Sequence, residues 1–335
     1  MSLAPLVAQR YTVCMQKIRV GVMRGGLGSE YYVSLRTGSN VLANLPRDRY
    51  EPHDILITQE GEWNIDGVPT RPAKLSQHVD VVFNALHGEF GEDGKVQNIL
   101  DLFGVPYTGS TAVPSAIGMN KELAKKHFVN AGLRVPLGVV VSRGDEIEEI
   151  AERVRETLKA PYVVKPLTCG SSVGLSLVQG ESELVPALER ALSYSEKALV
   201  EEYVHGREVT VGVIDGVDGL NAYTMPPLEV MLPPGSVFDY EQKYRSGVSP
   251  VGVARVYENE KQVLEHIALS AHRELGARHY ATYDFIMTNK GPYLLEVNTL
   301  PGLTDTSVFP KALAARNLSM PEFLDYVLGL ALQKK

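Results

Sequence analysis

Cysteine is scarce in this sequence, and long apolar runs are missing. The 335 residues include two cysteines, Cys14 and Cys169, which lie far apart and outside any metal-ligand spacing. A disulfide framework and a zinc site are therefore not expected, and a reducing cytoplasm suits the chain best. No segment approaches the ~20 uninterrupted apolar residues of a transmembrane helix. Residues 1–16 contain no convincing cleavage site and are interpreted as a short N-terminal extension.

An excess of positive charge is also missing. The chain carries 33 basic and 40 acidic residues, a formal net charge of -7, without long blocks of either sign. This balance gives no general attraction to nucleic acid or to anionic lipid, so neither is expected as a partner. An anionic ligand must instead be held by a local group of side chains.

The order of strand-like and helix-like segments predicts three α/β units. With 44% hydrophobic residues, the chain is long enough for two or three compact units. Buried strands, a Gly-rich turn and amphipathic helices alternate over residues 17–112, which predicts an open parallel sheet. A smaller α/β unit is predicted over 113–205, and a third unit over 206–335.

A glycine- and serine-rich stretch, KPLTCGSSVG at residues 165–174, directly follows a β-branched strand. One interpretation is an ordinary glycine turn between two strands. The other is a phosphate-binding loop, because Lys165, the backbone N–H groups near the glycines and the hydroxyls of Ser171 and Ser172 suit a polyanion. The surrounding motifs favour phosphate binding, although the spacing is not that of a P-loop.

Three oxygen-bearing side chains fall on two late apolar strands. Asp284 lies in YDF, whereas Glu296 and Asn298 lie in LLEVN and share one face, because residues i and i+2 of a strand point the same way. Carboxylate and amide oxygens suit Mg²⁺, which also keeps phosphate oxygens and water as ligands. The alternative is a solvated face of an antiparallel sheet.

A third group of charged residues lies in the middle unit. Lys121 and Lys165 can neutralise phosphate charge, and the strand LVEEY, which contains Glu201 and Glu202, can supply partners for an adenine. A single lysine of this kind is most often a surface residue. The joint occurrence of two lysines, a glycine-rich loop and a carboxylate site indicates a nucleotide site.

Taken together, these motifs resemble the D-alanine–D-alanine ligases of the ATP-grasp superfamily over about residues 17–330. The motifs that carry the resemblance are GGLGSEYYVSLRTG, ALHGEFGEDGKVQNILDLFGVPYTGS, MNKELAKK, VVKPLTCGSSVGLS, LVEEYVHGREVTVGV, FDYEQKYRSG and LLEVNTLPGLTDTS. Their number and order make the match far more specific than any one glycine pattern.

The resemblance implies an ATP-grasp fold of three α/β units, with an N-terminal open parallel sheet and ATP in a cleft between the central and C-terminal units. It implies two Mg²⁺ ions, or Mn²⁺, held by Asp284, Glu296 and Asn298. One amino acid, expected to be D-alanine, would be phosphorylated on its carboxylate, and the amine of a second would displace the phosphate. The implied product is a dipeptide for peptidoglycan precursors, and the implied assembly is a homodimer.

The resemblance also implies roles for individual residues. Glu30 would receive the ammonium group of the first amino acid, and His87 would lie near its carboxylate. Ser171 would bond to Glu30 and Tyr244, and Lys243 would reach the phosphate. The second carboxylate would be bound near Gly302 and Ser307. Nucleotide contacts are expected from Lys121, Lys165, Ser171, Ser172, Glu201, Glu202, Val204, Glu208 and Lys243.

The largest departure from the family pattern is Thr282, which stands where an arginine usually precedes the first metal-binding aspartate; Tyr31, Tyr32 and Cys169 are lesser departures. Arg245 on the loop after Tyr244 is a hypothetical substitute. Two other functions are compatible with the motifs: an ATP-grasp ligase for other amino acids, and a nucleotide-binding relative without catalysis. A dehydrogenase is disfavoured, because Tyr31 replaces the third glycine of a dinucleotide fingerprint.

Overall fold

The computed structural model describes residues 17–216, 221–231 and 251–333. Within these ranges the strands form three sheets, with helices packed on them, as the ATP-grasp prediction requires. No helix in the described ranges is both long and apolar enough to cross a membrane.

The first sheet contains three parallel strands and an antiparallel hairpin, in the order β4-β3-β2-β1-β5. Strand β1 runs parallel to β2 and to β5. The elements of this region are β1 (Ile18–Gly25), α1 (Tyr31–Asn44), β2 (Tyr50–Ile57), β3 (Trp63–Ile65), β4 (Val68–Thr70), α2 (Leu75–His78), β5 (Val81–Asn84), α3 (Lys95–Leu102) and α4 (Ala112–Met119).

The hairpin β3–β4 adds antiparallel strands to the predicted open parallel sheet. Its strands join through Asp66 and Gly67, whose φ angles of 51° and 81° are both positive. An Asp-Gly pair suits such a two-residue hairpin turn, so the sequence did contain the signal. The hairpin extends the sheet beyond β2 by antiparallel pairing.

The second sheet is antiparallel, in the order β6-β9-β7-β8. Helices α6 and α7 cover it, with a separate core that includes Val154, Val164 and Leu188. The elements are α5 (Lys121–Asn130), β6 (Gly138–Ser142), α6 (Ile147–Thr157), β7 (Tyr162–Pro166), β8 (Ser176–Val178), α7 (Glu181–Tyr194) and β9 (Lys197–Glu202).

The third sheet is also antiparallel, in the order β13-β12-β10-β14-β15, with β11 paired to β10. The elements are β10 (Arg207–Asp215), β11 (Ala222–Thr224), β12 (Leu228–Val230), β13 (Val251–Val253), α8 (Glu258–Leu275), β14 (Tyr280–Thr288), β15 (Gly291–Asn298), α9 (Val308–Ala315) and α10 (Met320–Leu332). Helix α8 ends where Gly276 adopts φ 63°, a left-handed conformation that glycine reaches without strain.

The first and third sheets share one hydrophobic core. Phe83 of β5 stacks on Tyr280 of β14 with ring centroids 6.5 Å apart. Phe309 of α9 and Phe323 of α10 lie 5.7 and 5.3 Å from the Tyr280 ring. The two closing helices therefore join the first sheet to the third, and this shared core sets the position of the cleft between them.

Truncation of this aromatic cluster tests its contribution to stability. Phe323→Ala is expected to lower the free energy of unfolding by about 3–5 kcal/mol, because it removes a fully buried ring and leaves a cavity. Chemical denaturation of the wild-type and variant proteins measures the change. Leu102→Ala, at a side chain that is 76% exposed, is the control. A loss for Phe323→Ala no larger than that of the control would contradict the shared core.

Candidate active site

Two adjoining clefts lie where the three sheets meet, and most of the predicted residues line them. The clefts share Cys169 and four predicted residues, Lys121, Glu208, Asp284 and Glu296. The other predicted residues that line the first cleft are Glu30, Ser171, Asn298, Gly302 and Ser307. The other predicted residues that line the second cleft are Lys165, Ser172, Glu201, Glu202 and Val204.

The carboxylates on β14 and β15 face each other across the strand pair. In the antiparallel register Asp284 lies opposite Glu296, and Thr282 lies opposite Asn298. A β-bulge separates Asp284 from Phe285. Thr210 on β10 donates a hydrogen bond of 2.6 Å to Asp284 Oδ1 and orients that carboxylate. These strands therefore place two carboxylates and an amide on the wall of one cleft.

Asp284, Glu296 and Asn298 suit a hard divalent cation only if further ligands complete its coordination. Among the described residues, no group of three or more His, Cys, Asp or Glu side chains is arranged to hold a metal ion. Two carboxylates and the Asn298 amide are hard oxygen ligands, and Mg²⁺ commonly completes such a set with phosphate oxygens and water. The donor chemistry thus suits Mg²⁺ that arrives with a nucleotide.

Lys121 stands at the first turn of α5, between the two clefts. Asn120 caps this helix, because its side chain accepts hydrogen bonds from the backbone N–H groups of Glu122 and Leu123. Lys121 Nζ donates to the backbone oxygen of Cys169 at 2.6 Å and lies 3.9 Å from Glu296 Oε2. Burial lowers the pKa of Lys121, although the nearby Glu296 opposes this effect.

Lys165 reaches the second cleft from β7, next to a buried carboxylate. Lys165 Nζ lies 2.8 Å from Glu201 Oε2, and Lys125 Nζ of α5 lies 2.5 Å from Glu201 Oε1. Burial opposes the charge of Lys165, but Glu201 and Glu296 outweigh it and raise the pKa of this lysine. Burial also opposes the charge of Glu201, but the two lysines outweigh it and lower the pKa of the carboxyl group.

The glycine-rich stretch forms a tight loop that touches the first sheet. Ser171 and Ser172 adopt φ angles of 52° and 55°, which are rare for residues with a side chain, and Gly174 adopts 72°. The Ser171 hydroxyl donates a short hydrogen bond to Glu30 Oε1. This loop therefore connects the central sheet to the residue that precedes α1.

Two glycines make room for the Glu30 carboxylate. A Cβ atom at Gly88 would overlap Glu30 Oε2, and one at Gly170 would lie 2.6 Å from the same oxygen. Gly88 also has a positive φ of 66°. A side chain at either position would displace the carboxylate, so these glycines are required by the contact with Glu30.

A second buried carboxylate, Glu92, lines the first cleft and was not predicted as a site residue. Its Oε2 accepts a hydrogen bond of 2.7 Å from Gly88 N, and its Oε1 accepts one of 3.3 Å from Leu300 N. Burial, as the main cause, and repulsion from Glu30, as the second, raise the pKa of Glu92 to about 8. Glu92 therefore retains a proton near neutral pH. The motif GEDG contained it, but no spacing rule identified its role.

His87 lies behind the first cleft and lines neither cleft. Its Nε2 lies 2.8 Å from the Thr37 hydroxyl. Burial lowers the pKa of His87 to about 4, although a backbone hydrogen bond with Leu300 opposes this effect. The ring is therefore neutral at physiological pH, and it can orient neighbouring groups without supplying a positive charge.

The far end of the first cleft is formed by the turn before α9. A Cβ at Gly302 would lie 2.9 Å from Ser307 Oγ. Ser307 Oγ accepts a hydrogen bond of 3.2 Å from the backbone N–H of Thr304 and lies 2.7 Å from the Thr304 hydroxyl. The turn thus presents a hydroxyl and backbone groups at the N-terminus of a helix, where a carboxylate is favoured.

Four further positions named from the sequence are Lys243, Tyr244, Arg245 and Thr282. Lys243, Tyr244 and Arg245 lie outside the described residues. Thr282 lines the first cleft beside Asn298 and brings no charge. Among the described residues that line this cleft, Lys121 is the only basic side chain.

Two family models match the chain. One, described as the D-ala D-ala ligase C-terminus, matches residues 128–329, and the other, the D-ala D-ala ligase N-terminus, matches residues 65–110. A D-alanine–D-alanine ligase of Syntrophotalea carbinolica is 37% identical, with 96% of this chain and 98% of the relative covered. One from Pelotomaculum thermopropionicum is 34% identical, with 94% and 97% covered.

Solved structures share the fold. VanG D-Ala:D-Ser ligase from Enterococcus faecalis has a TM-score of 0.81 and 30% identity, covering 94% of this chain and all of that one. D-alanine–D-alanine ligase from Bacillus anthracis, complexed with ATP, has a TM-score of 0.77 and 27% identity, covering 94% and 97%. These likenesses confirm the predicted ATP-grasp fold class.

The buried Glu92 predicts a pH-dependent difference in stability. In the folded protein the pKa of Glu92 is about 8, whereas the ordinary pKa of a glutamate is 4.5. Between these two pH values the unfolded chain releases the proton and the folded protein keeps it, so the free energy of unfolding falls as pH rises. Glu92→Gln cannot ionise. Its melting temperature should therefore rise relative to the wild type between pH 5 and pH 8, as measured by calorimetry at each pH. A difference that is constant over this range would contradict the raised pKa.

Proposed function

Because the chain belongs to the D-alanine–D-alanine ligase family, we propose that it joins two D-alanine molecules in an ATP-dependent reaction that serves peptidoglycan precursor synthesis. The observation that carries the proposal is the arrangement of the two clefts. A carboxylate suited to an amino-acid ammonium group, Glu30, lies in the same cleft as Lys121 and the Asp284–Glu296 pair.

The chemistry explains why a nucleotide and an amino acid must share one site. A free carboxylate is a poor acyl donor, because oxide is a very poor leaving group. Transfer of the γ-phosphoryl group to that carboxylate forms an acylphosphate and releases ADP. The neutral amine of the second amino acid then attacks the carbonyl carbon, and the C–O bond to phosphate breaks. The amine loses one proton, which the departing phosphate takes up, and the amide and inorganic phosphate result. Catalysis of this kind rests on positioning and charge stabilisation.

The second cleft is assigned to ATP. Lys165 and Lys121 bind its phosphates, and Ser172 on the glycine-rich loop covers them. The adenine end is assigned to the strand end that includes Glu202 and Val204, with Glu208 at the boundary between the clefts. Glu202 also accepts a hydrogen bond of 2.9 Å from Leu137 N, which fixes this end of the cleft.

The first cleft is assigned to the two amino acids. Glu30 binds the ammonium group of the first, and Ser171 holds Glu30 in place. Gly302 and Ser307 bind the carboxylate of the second. His87 acts from behind the cleft by orientation, since its ring is neutral.

Lys243 and Tyr244 are assigned by family resemblance. Lys243 would reach the transferred phosphate, and Tyr244 would join the hydrogen bonds of Ser171 and Glu30.

Asp284, Glu296 and Asn298 are assigned to two Mg²⁺ ions, with Mn²⁺ as a substitute. When bound, the metal neutralises phosphate charge and so favours attack by the substrate carboxylate. Thr210 keeps Asp284 oriented for this role.

Three further assignments remain part of the proposal. The three units are proposed to divide at residues 112/113 and 205/206, the assembly is proposed to be a homodimer, and the compartment is proposed to be the cytoplasm, in keeping with two cysteines in 335 residues. Light scattering of the purified protein measures the oligomeric state.

A panel of amino acids tests the function. With ATP and Mg²⁺, D-alanine is expected to give phosphate and the mass of alanyl-alanine, measured by phosphate release and mass spectrometry. Glu30→Gln should reduce turnover by at least about a hundredfold, because it removes the charge that holds the substrate ammonium group. Glu89→Gln, at an exposed side chain nearby, is the control. If only another pair of amino acids gives a product, that pair is the substrate instead of D-alanine. Nucleotide binding without phosphate release would indicate a non-catalytic protein.

Because Thr282 carries no charge, a basic side chain at this position is expected to increase activity. Thr282→Arg is expected to increase kcat by about tenfold or more, because a fixed cation beside Asp284 and Asn298 would stabilise developing negative charge. Thr282→Met, which adds bulk without charge, is the matched control. Steady-state kinetics measure both variants, and equal turnover of the two would contradict an electrostatic role for a cation at this position.

A further inference from the structure

Lys125, Glu201 and Lys165 form a buried cluster of three charges beside the second cleft. Their exposed fractions are 8%, 2% and 7%. They come from α5, β9 and β7, so three different elements converge on one carboxylate. Lys165 and Glu201 line the cleft, whereas Lys125 lies behind them and lines neither cleft. Lys125 therefore belongs to the cluster without access to a nucleotide.

The contact of Lys125 with Glu201 is an ion pair without hydrogen-bond geometry. Lys125 Nζ lies 2.5 Å from Glu201 Oε1, yet neither atom has a well-directed hydrogen-bond partner. The contact of Lys165 with the other carboxylate oxygen, at 2.8 Å, lies in the same buried region. The interaction of Lys125 with Glu201 is thus one of charge more than of direction.

The charge balance of the cluster explains the presence of a second lysine. A single buried pair of Lys165 and Glu201 would be neutral, and Glu201 would cancel the attraction of Lys165 for a phosphate. Burial lowers the pKa of Lys125, although Glu201 opposes this effect. Lys125 shares the charge of Glu201, so the cluster with all three groups ionised keeps one net positive charge. Glu208 and Glu296 also act on Lys165 from the cleft side and increase the need for this compensation. Buried charges interact strongly because water screens them little.

A role in folding alone does not account for this arrangement. Moving a second ammonium group out of water carries a large desolvation cost, and a neutral pair would already satisfy Glu201. The next residue, Lys126, shows the ordinary alternative, because it remains exposed and pairs with Glu122 at 2.7 Å on the helix surface.

We propose that Lys125 is a positioning residue for the nucleotide phosphates, which acts through Glu201 to keep the Lys165 ammonium group oriented and its positive charge available to the second cleft. This role rests on the proposed use of ATP and adds a residue that touches no substrate. Its ligand class is the polyphosphate of a nucleotide.

The role predicts a selective loss of phosphate recognition. Lys125→Met should weaken ATP binding by about tenfold, because Glu201 then neutralises Lys165. Binding of adenosine, which has no phosphate, should change less than about twofold, since the adenine is assigned to the strand end with Glu202 and Val204, and Lys125 does not line the cleft. Isothermal titration calorimetry of the full-length protein measures both ligands, and Lys126→Met is the matched control on the same helix.

A second variant separates charge balance from packing. In Lys125→Met/Glu201→Gln the negative charge is removed together with Lys125, so Lys165 again carries an uncancelled charge and can donate to the amide oxygen. Because Glu201 itself lines the second cleft, Glu201→Gln is the reference, and ATP affinity of the double variant should lie within about threefold of it. If Lys125→Met does not fold, this comparison carries the test, and a larger loss overturns the proposal.

Three other results would overturn the role of Lys125. ATP affinity of Lys125→Met equal to that of Lys126→Met would show that the cluster does not act on the phosphates. Equal weakening of ATP and adenosine would show a general distortion of the cleft. A double variant that folds but binds ATP no better than Lys125→Met would exclude charge balance. Absence of ATP binding by the wild type would instead overturn the ATP assignment itself, and this role with it.

Discussion

The cost of removing charged groups from water is the constraint on which the two clefts depend. The described part of the chain buries Glu30, Glu92, Lys121, Lys125, Lys165 and Glu201 where the three sheets meet. A buried charge is tolerated only when it is paired, bonded to backbone groups or neutralised by a proton. Each of these solutions occurs here: ion pairs surround Glu201, Lys121 donates to the backbone oxygen of Cys169, and the pKa of Glu92 rises.

The same constraint links the clefts to the surrounding fold. The hydrogen bond from Ser171 to Glu30 connects the glycine-rich loop with the start of α1, and the bond from Leu300 N to Glu92 connects the segment after β15 with the loop between β5 and α3. The aromatic core around Tyr280 holds the first and third sheets together beneath the site. Binding groups from distant parts of the chain can therefore be close without a continuous segment between them.

Much of the fold and many of the candidate residues could be predicted from local patterns in the sequence. Alternation in β15 placed Glu296 and Asn298 on one face, because side chains of a strand repeat every two residues. Motif order identified the family and the ATP-grasp fold. The hairpin β3–β4 was missed although its Asp-Gly turn is a local signal.

The sequence by itself determined the family and the ATP-grasp fold class, and it supplied candidate groups for phosphate, ammonium and metal. The tertiary structure decided which of these groups lie close enough to form ion pairs or to shift each other's pKa. The pKa of Glu92 is raised by burial and then by the nearby Glu30, and Lys125 lies next to Glu201 because α5 packs beside β9. The physical reason is that pKa values and ion pairs depend on distance and burial, which chain-distant elements establish only when they pack together.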